Sequence, residues 1–125
     1  MRRVGHIIEE IVEPSNMEAS FRQVLRGRKR KRSRQGCYLL AHKPEVLKEL
    51  TAQIASGTFR VKDYRERDIV EGGKLRRIQV IPMKDRIAVH AIMAVVDRHL
   101  RKRFIRTTSA SIKKRGMHDL LAYIR

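Results

Sequence analysis

Apolar residues near the start of the chain recur at the spacing of an amphipathic helix. Glu13-Pro14 interrupts the pattern, because a residue that precedes proline disfavours the helical backbone conformation. The spacing therefore predicts a first helix that ends before Pro14. Its apolar positions, which share one helix face, are Val4, Ile7, Ile8, Ile11 and Val12.

A second helix is predicted over residues 16–26. Ser15 and Glu18 have the spacing of a capping box at its start. Gly27 supplies a stop signal at its end, because glycine tolerates the left-handed backbone found there. The residues expected on its buried face are Met17, Phe21, Val24 and Leu25.

A third helix is predicted between Pro44 and Ser56-Gly57. Proline suits the first turn of a helix, where its missing N–H is not needed. For residues 38–40, which precede this helix, the pattern predicts a short extended or helical segment that makes an apolar contact. The apolar face of the third helix consists of Val46, Leu47, Leu50 and Ile54.

Two runs of strand-forming residues flank the glycine pair Gly72-Gly73. Residues 64–71 are predicted as the first strand and residues 75–81 as the second, in which Ile78 and Val80 flank the polar Gln79. The glycines tolerate the positive φ of a tight turn. The pattern predicts an antiparallel hairpin that lets its tip approach a ligand closely. Neighbouring cations could neutralise phosphate or be ordinary surface charges of a solvated hairpin, and they are Lys74, Arg76 and Arg77.

A long apolar helix is predicted after Pro82. It begins near Asp85, an expected N-cap, and runs for about twenty residues. Nearly every residue from 87 to 96 is apolar, so most of its circumference should be covered. His90 lies in this stretch, and we expect a hydrogen-bonded core residue rather than a metal ligand.

The last apolar pattern follows Gly116, after a polar segment at 107–114 that reads as a loop. The pattern continues to the end of the chain without a stop signal, which predicts a truncated protein. Together the patterns predict an α+β fold, mostly α-helical, with four to five helices and a two-stranded antiparallel β-hairpin. The residues of the last apolar face are Met117, Leu120, Leu121 and Ile124.

The net charge of the chain indicates which class of molecule it binds. Lys and Arg total 30 against 13 Asp and Glu, for a formal net charge of +17. Such an excess opposes compaction unless a polyanion neutralises it, and nucleic acid is the leading candidate. An anionic membrane surface is the alternative, although no apolar run approaches the roughly 20 residues that a bilayer requires. The single cysteine, Cys37, excludes an internal disulfide and suits a reducing compartment.

Cations also cluster outside the hairpin, in the runs 28–34 and 98–103. Like-charge repulsion makes the first run a poor independent helix, so it predicts either a solvated loop or a line of phosphate contacts. The second run ends the apolar helix, where cations also favour the macrodipole. The expected contacts to a nucleic-acid backbone are Arg28, Lys29, Arg30, Lys31, Arg32, Arg34, Arg98, Arg101, Lys102 and Arg103.

Catalytic and metal-binding patterns are missing from the sequence. The five histidines lack metal-ligand spacing with a second His or Cys. Asp119 stands in the first turn of the last helix, where the helix dipole explains a carboxylate. We therefore predict no catalytic residue and no metal site in this chain.

The run GKLRRIQVIPMKDRIAVHAIMAVV resembles the first conserved block of bacterial reverse transcriptases of the group II intron and retroelement type. A second block, a phenylalanine followed by a serine-containing loop and Arg-Gly, is similar to the segment from Phe104 to His118. Ser56-Gly57-Thr58-Phe59 resembles the SGTY that precedes the first block. The resemblance covers about the last seventy residues, and more loosely the first fifty. The positions that match the first block are Lys74, Arg76, Ile78, Pro82, Asp85, Arg86 and Ile87.

That resemblance implies the fold and role of a polymerase fingers region. Residues 1–57 would form an N-terminal helical extension with a basic loop. Residues 58–125 would form the fingers hairpin, the long apolar helix and the start of the palm, as one compact unit. The resemblance implies that Lys74, Arg76 and Arg77 face the phosphates of an incoming deoxynucleotide triphosphate or of the template. It places Arg115 and Gly116 near the template strand.

The implied parent enzyme is an RNA-directed DNA polymerase in the bacterial cytoplasm, acting on an RNA template and a DNA primer. It would use Mg²⁺, held by palm aspartates and a Tyr-x-Asp-Asp box that this sequence lacks. We therefore expect the chain alone to be inactive. Two alternatives remain, a self-contained basic RNA-binding module and a helical interaction protein. Apolar palm-facing surface on residues 87–96 and on the last helix also predicts a possible homodimer.

Overall fold

The computed structural model describes residues 4–105, 107–109 and 112–124. Within these ranges the chain forms five helices, a two-stranded antiparallel hairpin and two further helices. The predicted α+β, mostly helical fold is therefore confirmed. The chain divides into two compact units, Met1–Val95 and Val96–Arg125. The boundary that the sequence suggests, between residues 57 and 58, falls inside the first unit.

The first two helices begin at different residues from those predicted. Helix α1 spans Ile7–Val12, because His6 at its N-cap adopts a left-handed φ of 58° and leaves Val4 outside. Helix α2 spans Pro14–Val24, with Glu13 at the N-cap. The predicted capping box is wrong, since the fixed φ of Pro14 already suits the first helical turn.

The basic run is more helical than the sequence predicts. Helix α3 is a single turn, Arg28–Lys31, and helix α4 spans Arg34–Ala41. The Ser33 hydroxyl accepts a hydrogen bond of 3.0 Å from the Gly36 N–H, which caps α4 despite the surrounding positive charge. Gly36 is required there, because a Cβ would collide with the Arg30 carbonyl. These two helices bring the number in the described residues to seven.

One hydrophobic core holds the first unit together. Helix α5 spans Lys43–Ala55 and helix α6 spans Met83–Arg101, and both contribute to this core. The predicted apolar faces of the second and third helices are confirmed. The buried apolar residues are Ile11, Met17, Phe21, Val24, Leu25, Leu39, Val46, Leu50, Ile54, Ile87, Ala88, Ala91 and Val95.

Two polar side chains of α2 reach α6 through this core. Asn16 Nδ2 donates to the carbonyl of Ile11 at 2.8 Å and to that of Ala91 at 3.1 Å. Ser20 is fully buried, and its hydroxyl lies 3.0 Å from Nδ1 of His90. The expected hydrogen bond of His90 is therefore present, although His90 is half-buried and lies at the edge of the core.

Helix α6 begins two residues earlier than predicted. Asp85 therefore lies within the first turn and is not the N-cap. The Met83 N–H instead donates to the Gln35 side-chain oxygen at 3.1 Å, a partner 48 residues away in the chain. The helix is also less covered than expected, because Met93 is 52% exposed. Sequence spacing could not reveal either feature, since both depend on tertiary neighbours.

The hairpin forms as predicted. Strand β1 spans Arg65–Glu71 and strand β2 spans Lys74–Val80. Gly72 and Gly73 have φ values of 58° and 74°, which is the left-handed backbone of a two-residue hairpin turn. Most strand residues are exposed, so the hairpin has two faces that solvent can reach.

The second unit contains the end of α6 and helix α7, Met117–Ile124. Helix α6 ends at Arg101, so Lys102 and Arg103 lie beyond the helical part of the basic run. The segment 107–114 is a predicted loop in which Ala110 and Ser111 lie outside the described residues. Several apolar side chains of this unit are exposed, and the homodimer stays a prediction. The exposed apolar side chains are Leu100, Phe104, Ile105, Met117, Leu121, Tyr123 and Ile124.

Length and hydropathy decide whether a helix of the described ranges could cross a lipid bilayer. The longest of them, α6, has 19 residues. None combines the length and hydropathy that a membrane span requires.

Asn16→Ala should destabilise the first unit. The substitution removes both hydrogen bonds between the Asn16 amide and the core, so we expect the free energy of unfolding to fall by about 1–3 kcal/mol. Chemical denaturation followed by circular dichroism measures the change. Gln23→Ala is the matched control, because Gln23 is an exposed residue of the same helix. Its effect should stay within about 0.5 kcal/mol.

Candidate nucleic-acid interface

Ion pairs separate the cations of the described chain into two groups. A cation that already contacts a carboxylate is partly neutralised, whereas one without such a contact presents its full charge to a ligand. Among the described residues, the second group includes Arg34, Lys62, Arg65, Arg67 and Lys74. The first group includes Arg22 and Lys43 with Glu18, Lys84 with Glu49, Arg76 with Glu71, Arg77 with Glu66 and Asp68, and Arg101 with Asp97.

The strand register divides the hairpin charges between two faces. Residues directly opposite each other project from the same face, and so do alternate residues of one strand. The pairs Arg65–Val80, Arg67–Ile78, Ile69–Arg76 and Glu71–Lys74 therefore share a face. That face, hereafter the basic face, carries four cations, Arg65, Arg67, Lys74 and Arg76, and one carboxylate, Glu71.

The opposite face has the reverse balance. It carries Glu66 and Asp68 against a single cation, Arg77. Arg77 contacts both carboxylates, with its Nη1 3.6 Å from Glu66 and its Nε 3.1 Å from Asp68. Arg76 contacts only Glu71, at 3.4 Å. The two adjacent arginines therefore lie on opposite faces and have different electrostatic surroundings.

The basic face leads into a cleft at the root of the hairpin. The root pair Arg65 and Val80 forms part of the wall of a cavity of about 830 Å³. This root cleft lies against the start of α4 and the start of α6. Its cations outnumber its single carboxylate, Asp63. The other lining residues are Ser33, Arg34, Gln35, Lys62, Tyr64, Ile81, Pro82 and Arg86.

Hydrogen bonds hold the walls of the root cleft in place. Arg86 is half-buried, and its Nε donates to the Ile81 carbonyl at 3.1 Å. The bond between Gln35 and the Met83 N–H ties α4 to the first turn of α6. Two lining side chains, Arg86 and Gln35, are therefore held before a ligand binds, which reduces part of the ordering cost of binding.

A smaller pocket adjoins the root cleft and contains an exposed aromatic ring. This Tyr38 pocket has a volume of about 360 Å³. Tyr38 is 57% exposed and stacks on His42, with ring centroids 4.4 Å apart and planes 25° apart. His42 Nδ1 lies 3.0 Å from the Tyr38 carbonyl and acts as the donor, because a carbonyl only accepts. The remaining lining residues are Arg34, Gln35, Leu39, Arg65, Pro82, Met83 and Lys84.

The basic run forms a second concentration of positive charge in the first unit. Its residues 28–32 and 34 are exposed. Arg30 is held by a 3.2 Å bond from Nη1 to the Val24 carbonyl. A cavity of about 480 Å³ beside it has four cations and no carboxylate in its lining of Gln23, Arg26, Gly27, Arg28, Lys29 and Arg30.

The predicted contacts of the second unit have different surroundings. Arg98, Lys102 and Arg103 are exposed. Arg101 pairs with Asp97 at 2.7 Å. Arg115 Nη1 donates to the Ile105 carbonyl at 3.4 Å. Arg115 also forms an isolated bridge with Ile112, just before Gly116, so part of its role is to hold the local backbone.

Three cations of the root cleft were not predicted from the sequence. Lys62 and Arg65 lie outside any basic run, and Arg86 is named only as part of a matching motif. Their grouping depends on strand pairing and on the packing of α4 near α6. The one available signal was the alternation of charge along β1, which puts Arg65 and Arg67 on one face.

Carboxylates next to the root cleft do not form a metal site. Burial raises the pKa of Asp85, Lys84 opposes the rise, and Asp63 and Glu49 add to it. Within the described ranges, His, Cys, Asp and Glu side chains form no group of three or more that could hold a metal ion.

Comparison with protein-family models finds no match to this chain, and comparison with curated proteins finds none either.

Asp85→Asn should stabilise the protein slightly at neutral pH. The native Asp85 carboxyl has a raised pKa and binds its proton at a higher pH than the unfolded one. The free energy of unfolding therefore falls as pH rises through the raised native pKa. Asparagine removes this fall, and denaturation curves from acidic to neutral pH measure the difference.

Glu18→Gln provides a comparison of opposite sign. The hydrogen bond from Lys43 lowers the pKa of Glu18, so its stabilisation is lost as pH falls through the lowered native value. This variant should be less stable than wild type at neutral pH and should approach it in acid. If the free energy of unfolding of Asp85→Asn changed with pH as that of the wild type does, Asp85 would not be the source of the expected pH dependence.

Proposed function

We propose that this chain binds the sugar–phosphate backbone of nucleic acid through the basic face of its hairpin and the root cleft. The observation that carries the proposal is the continuity of the two features, because Arg65 belongs to both. The cations Arg67 and Lys74 extend the same surface toward the hairpin tip and have no carboxylate partner among the described residues. A polyanion would therefore neutralise charges that the protein leaves uncompensated.

The spacing of the basic face suits a strand of phosphates. Alternate residues of a β-strand lie about 6.6 Å apart, so Arg65 and Arg67 present charges at regular intervals. Binding would release the counterions condensed on the nucleic acid, which makes the affinity strongly dependent on salt. The basic run at residues 28–34 adds charge to the same unit.

The finer proposal is that the chain is the fingers part of a reverse transcriptase. The motif resemblance supports it, with Lys74 and Arg76 on the basic face facing the phosphates of a deoxynucleotide triphosphate or the template. Arg77 is expected to contribute less, since two carboxylates already contact it. In this proposal Arg115 and Gly116 lie near an RNA template that is paired with a DNA primer.

The polymerase that would contain this chain needs Mg²⁺ and catalytic aspartates from elsewhere in its sequence. We expect it to act in the bacterial cytoplasm. The second candidate is a self-contained RNA-binding module, which the same basic surface would also favour. The reading frame of the gene discriminates the two, because a polymerase requires a Tyr-x-Asp-Asp sequence downstream. Its absence would leave the RNA-binding module as the better proposal.

Nucleic-acid binding should weaken steeply as salt rises. Each neutralised phosphate contributes roughly −0.7 to the slope of log affinity against log salt on single strands. Fluorescence anisotropy with a labelled oligonucleotide, measured over a range of salt concentrations, gives this slope. A slope near zero would contradict backbone binding and would favour the helical interaction protein.

Arg67→Gln should weaken binding more than Arg77→Gln. The two variants lose the same charge from opposite faces of one hairpin. We expect Arg67→Gln to cost about tenfold in affinity, the equivalent of one charge-assisted contact. It should also reduce the salt slope by about 0.7. Arg77→Gln should change both quantities much less.

The hairpin comparison requires that both variants remain folded. Because both side chains are exposed, the free energy of unfolding of each variant, measured by thermal melting, should stay within about 0.5 kcal/mol of the wild-type value. Equal losses of affinity in the two variants would mean that the hairpin binds through overall charge, with no preferred face.

A further inference from the structure

We infer that the root cleft and the Tyr38 pocket together form a binding site for one unpaired nucleotide of a single strand. The phosphate would lie in the root cleft and the base would stack on Tyr38. This inference rests on the proposed function and specifies the form of nucleic acid that the first unit prefers.

The two cavities share the wall that such a ligand would need. Arg34, Gln35, Arg65 and Pro82 line both of them. A phosphate beside Arg34 and Arg65 would therefore be close to either cavity. The larger cavity adds Lys62 and Arg86, which suit an anion. The smaller adds Tyr38, Leu39 and Met83, which suit the flat apolar surface of a base.

Tyr38 is prepared for stacking before any ligand binds. Its ring is exposed, but its position is supported by His42, which stacks on it at 4.4 Å. The His42 ring is in turn fixed by its bond to the Tyr38 carbonyl. A ring that is already ordered loses little conformational freedom when a base stacks on it. Stacking on aromatic rings beside a basic groove is a general mode of single-strand recognition.

The same arrangement disfavours a paired base. In a duplex, each base is stacked between its neighbours, whereas an unpaired base can turn out and lie on an aromatic side chain. The inferred site therefore predicts tighter binding to a single strand than to a duplex of the same sequence. A surface that recognised phosphates alone would give no such stacking contribution.

The test combines Tyr38 variants with a fluorescent base. An oligonucleotide that contains an adenine analogue, whose fluorescence falls when it stacks, reports on the base directly. We expect Tyr38→Ala to weaken single-strand binding at least about fivefold and to abolish the fluorescence change. The salt slope should remain that of wild type, because no charge is lost. Binding to a duplex should not change.

Two further Tyr38 variants separate stacking from other roles. Tyr38→Phe keeps the aromatic face and should bind as wild type does. Tyr38→Leu keeps apolar volume without the aromatic face and should behave as Tyr38→Ala does. Since Tyr38 is exposed, circular dichroism should show wild-type folding in all three variants. The fall in fluorescence on binding to the wild-type protein reports stacking of the base directly, so this measurement does not depend on whether a variant folds.

The phosphate half of the site has its own pair of variants. Arg34→Gln should reduce the salt slope by about 0.7, because it removes a phosphate contact. Lys48→Gln is the control, since Lys48 is exposed on α5 and lines neither cavity. It should leave the slope nearly unchanged. A slope that changes equally in both variants would overturn the assignment of the phosphate to the root cleft.

Competition identifies the source of the nucleotide. A nucleoside monophosphate offers the same phosphate and base without a strand, and we expect it to compete much more weakly than the oligonucleotide. Equal competition would assign the site to a free nucleotide and overturn the single-strand form of the inference. Wild-type affinity and fluorescence in Tyr38→Ala, with a steep salt slope, would overturn the nucleotide site and leave backbone binding intact. A flat salt slope in wild type would overturn the proposed function itself.

Discussion

The attachment of α6 to the helical core is the constraint on which the rest of the first unit depends. Ile87, Ala88, Ala91 and Val95 are fully buried, and the Asn16 amide bonds to the Ala91 carbonyl within this apolar region. The burial supplies most of the stabilisation, because apolar area removed from water dominates folding energetics. The polar bonds add a directional requirement, since each buried donor must meet its acceptor. The start of α6 is thereby fixed, and with it one wall of the root cleft.

The hairpin is adjacent to the start of α6, but burial of apolar residues contributes much less to its stability. A two-stranded hairpin is marginally stable alone, and here most of its residues remain exposed. The charged side chains of the hairpin are therefore at exposed positions, where they do not pack in the core. The register concentrates cations on one face and pairs Arg77 with carboxylates on the other. A bound strand of phosphates would compensate the repulsion within the basic face, so ligand binding and hairpin order would support each other.

Local sequence signals predicted the parts of the fold that depend on neighbours in the chain. The Gly72-Gly73 turn was predictable because few other residues accept two successive left-handed conformations. The apolar faces of α2 and α5 were predictable from their 3.6-residue spacing. The start of α6 was not, because Gln35 caps it from 48 residues away. The capping box at Ser15 failed because the adjacent Pro14 supplied a competing start signal.

Residue type and short-range spacing are sufficient to predict the excess of positive charge, the hairpin and the residues of its tip. They also indicated that His90 is hydrogen-bonded, because a polar side chain among apolar neighbours requires a hydrogen-bond partner. Packing between distant segments controls which cations remain without carboxylate partners among the described residues, and which of them lie close together. Arg34, Arg65 and Arg86 share the root cleft because α4, the hairpin root and α6 come together there. That meeting depends on distances between segments that are remote in sequence, which no local pattern encodes.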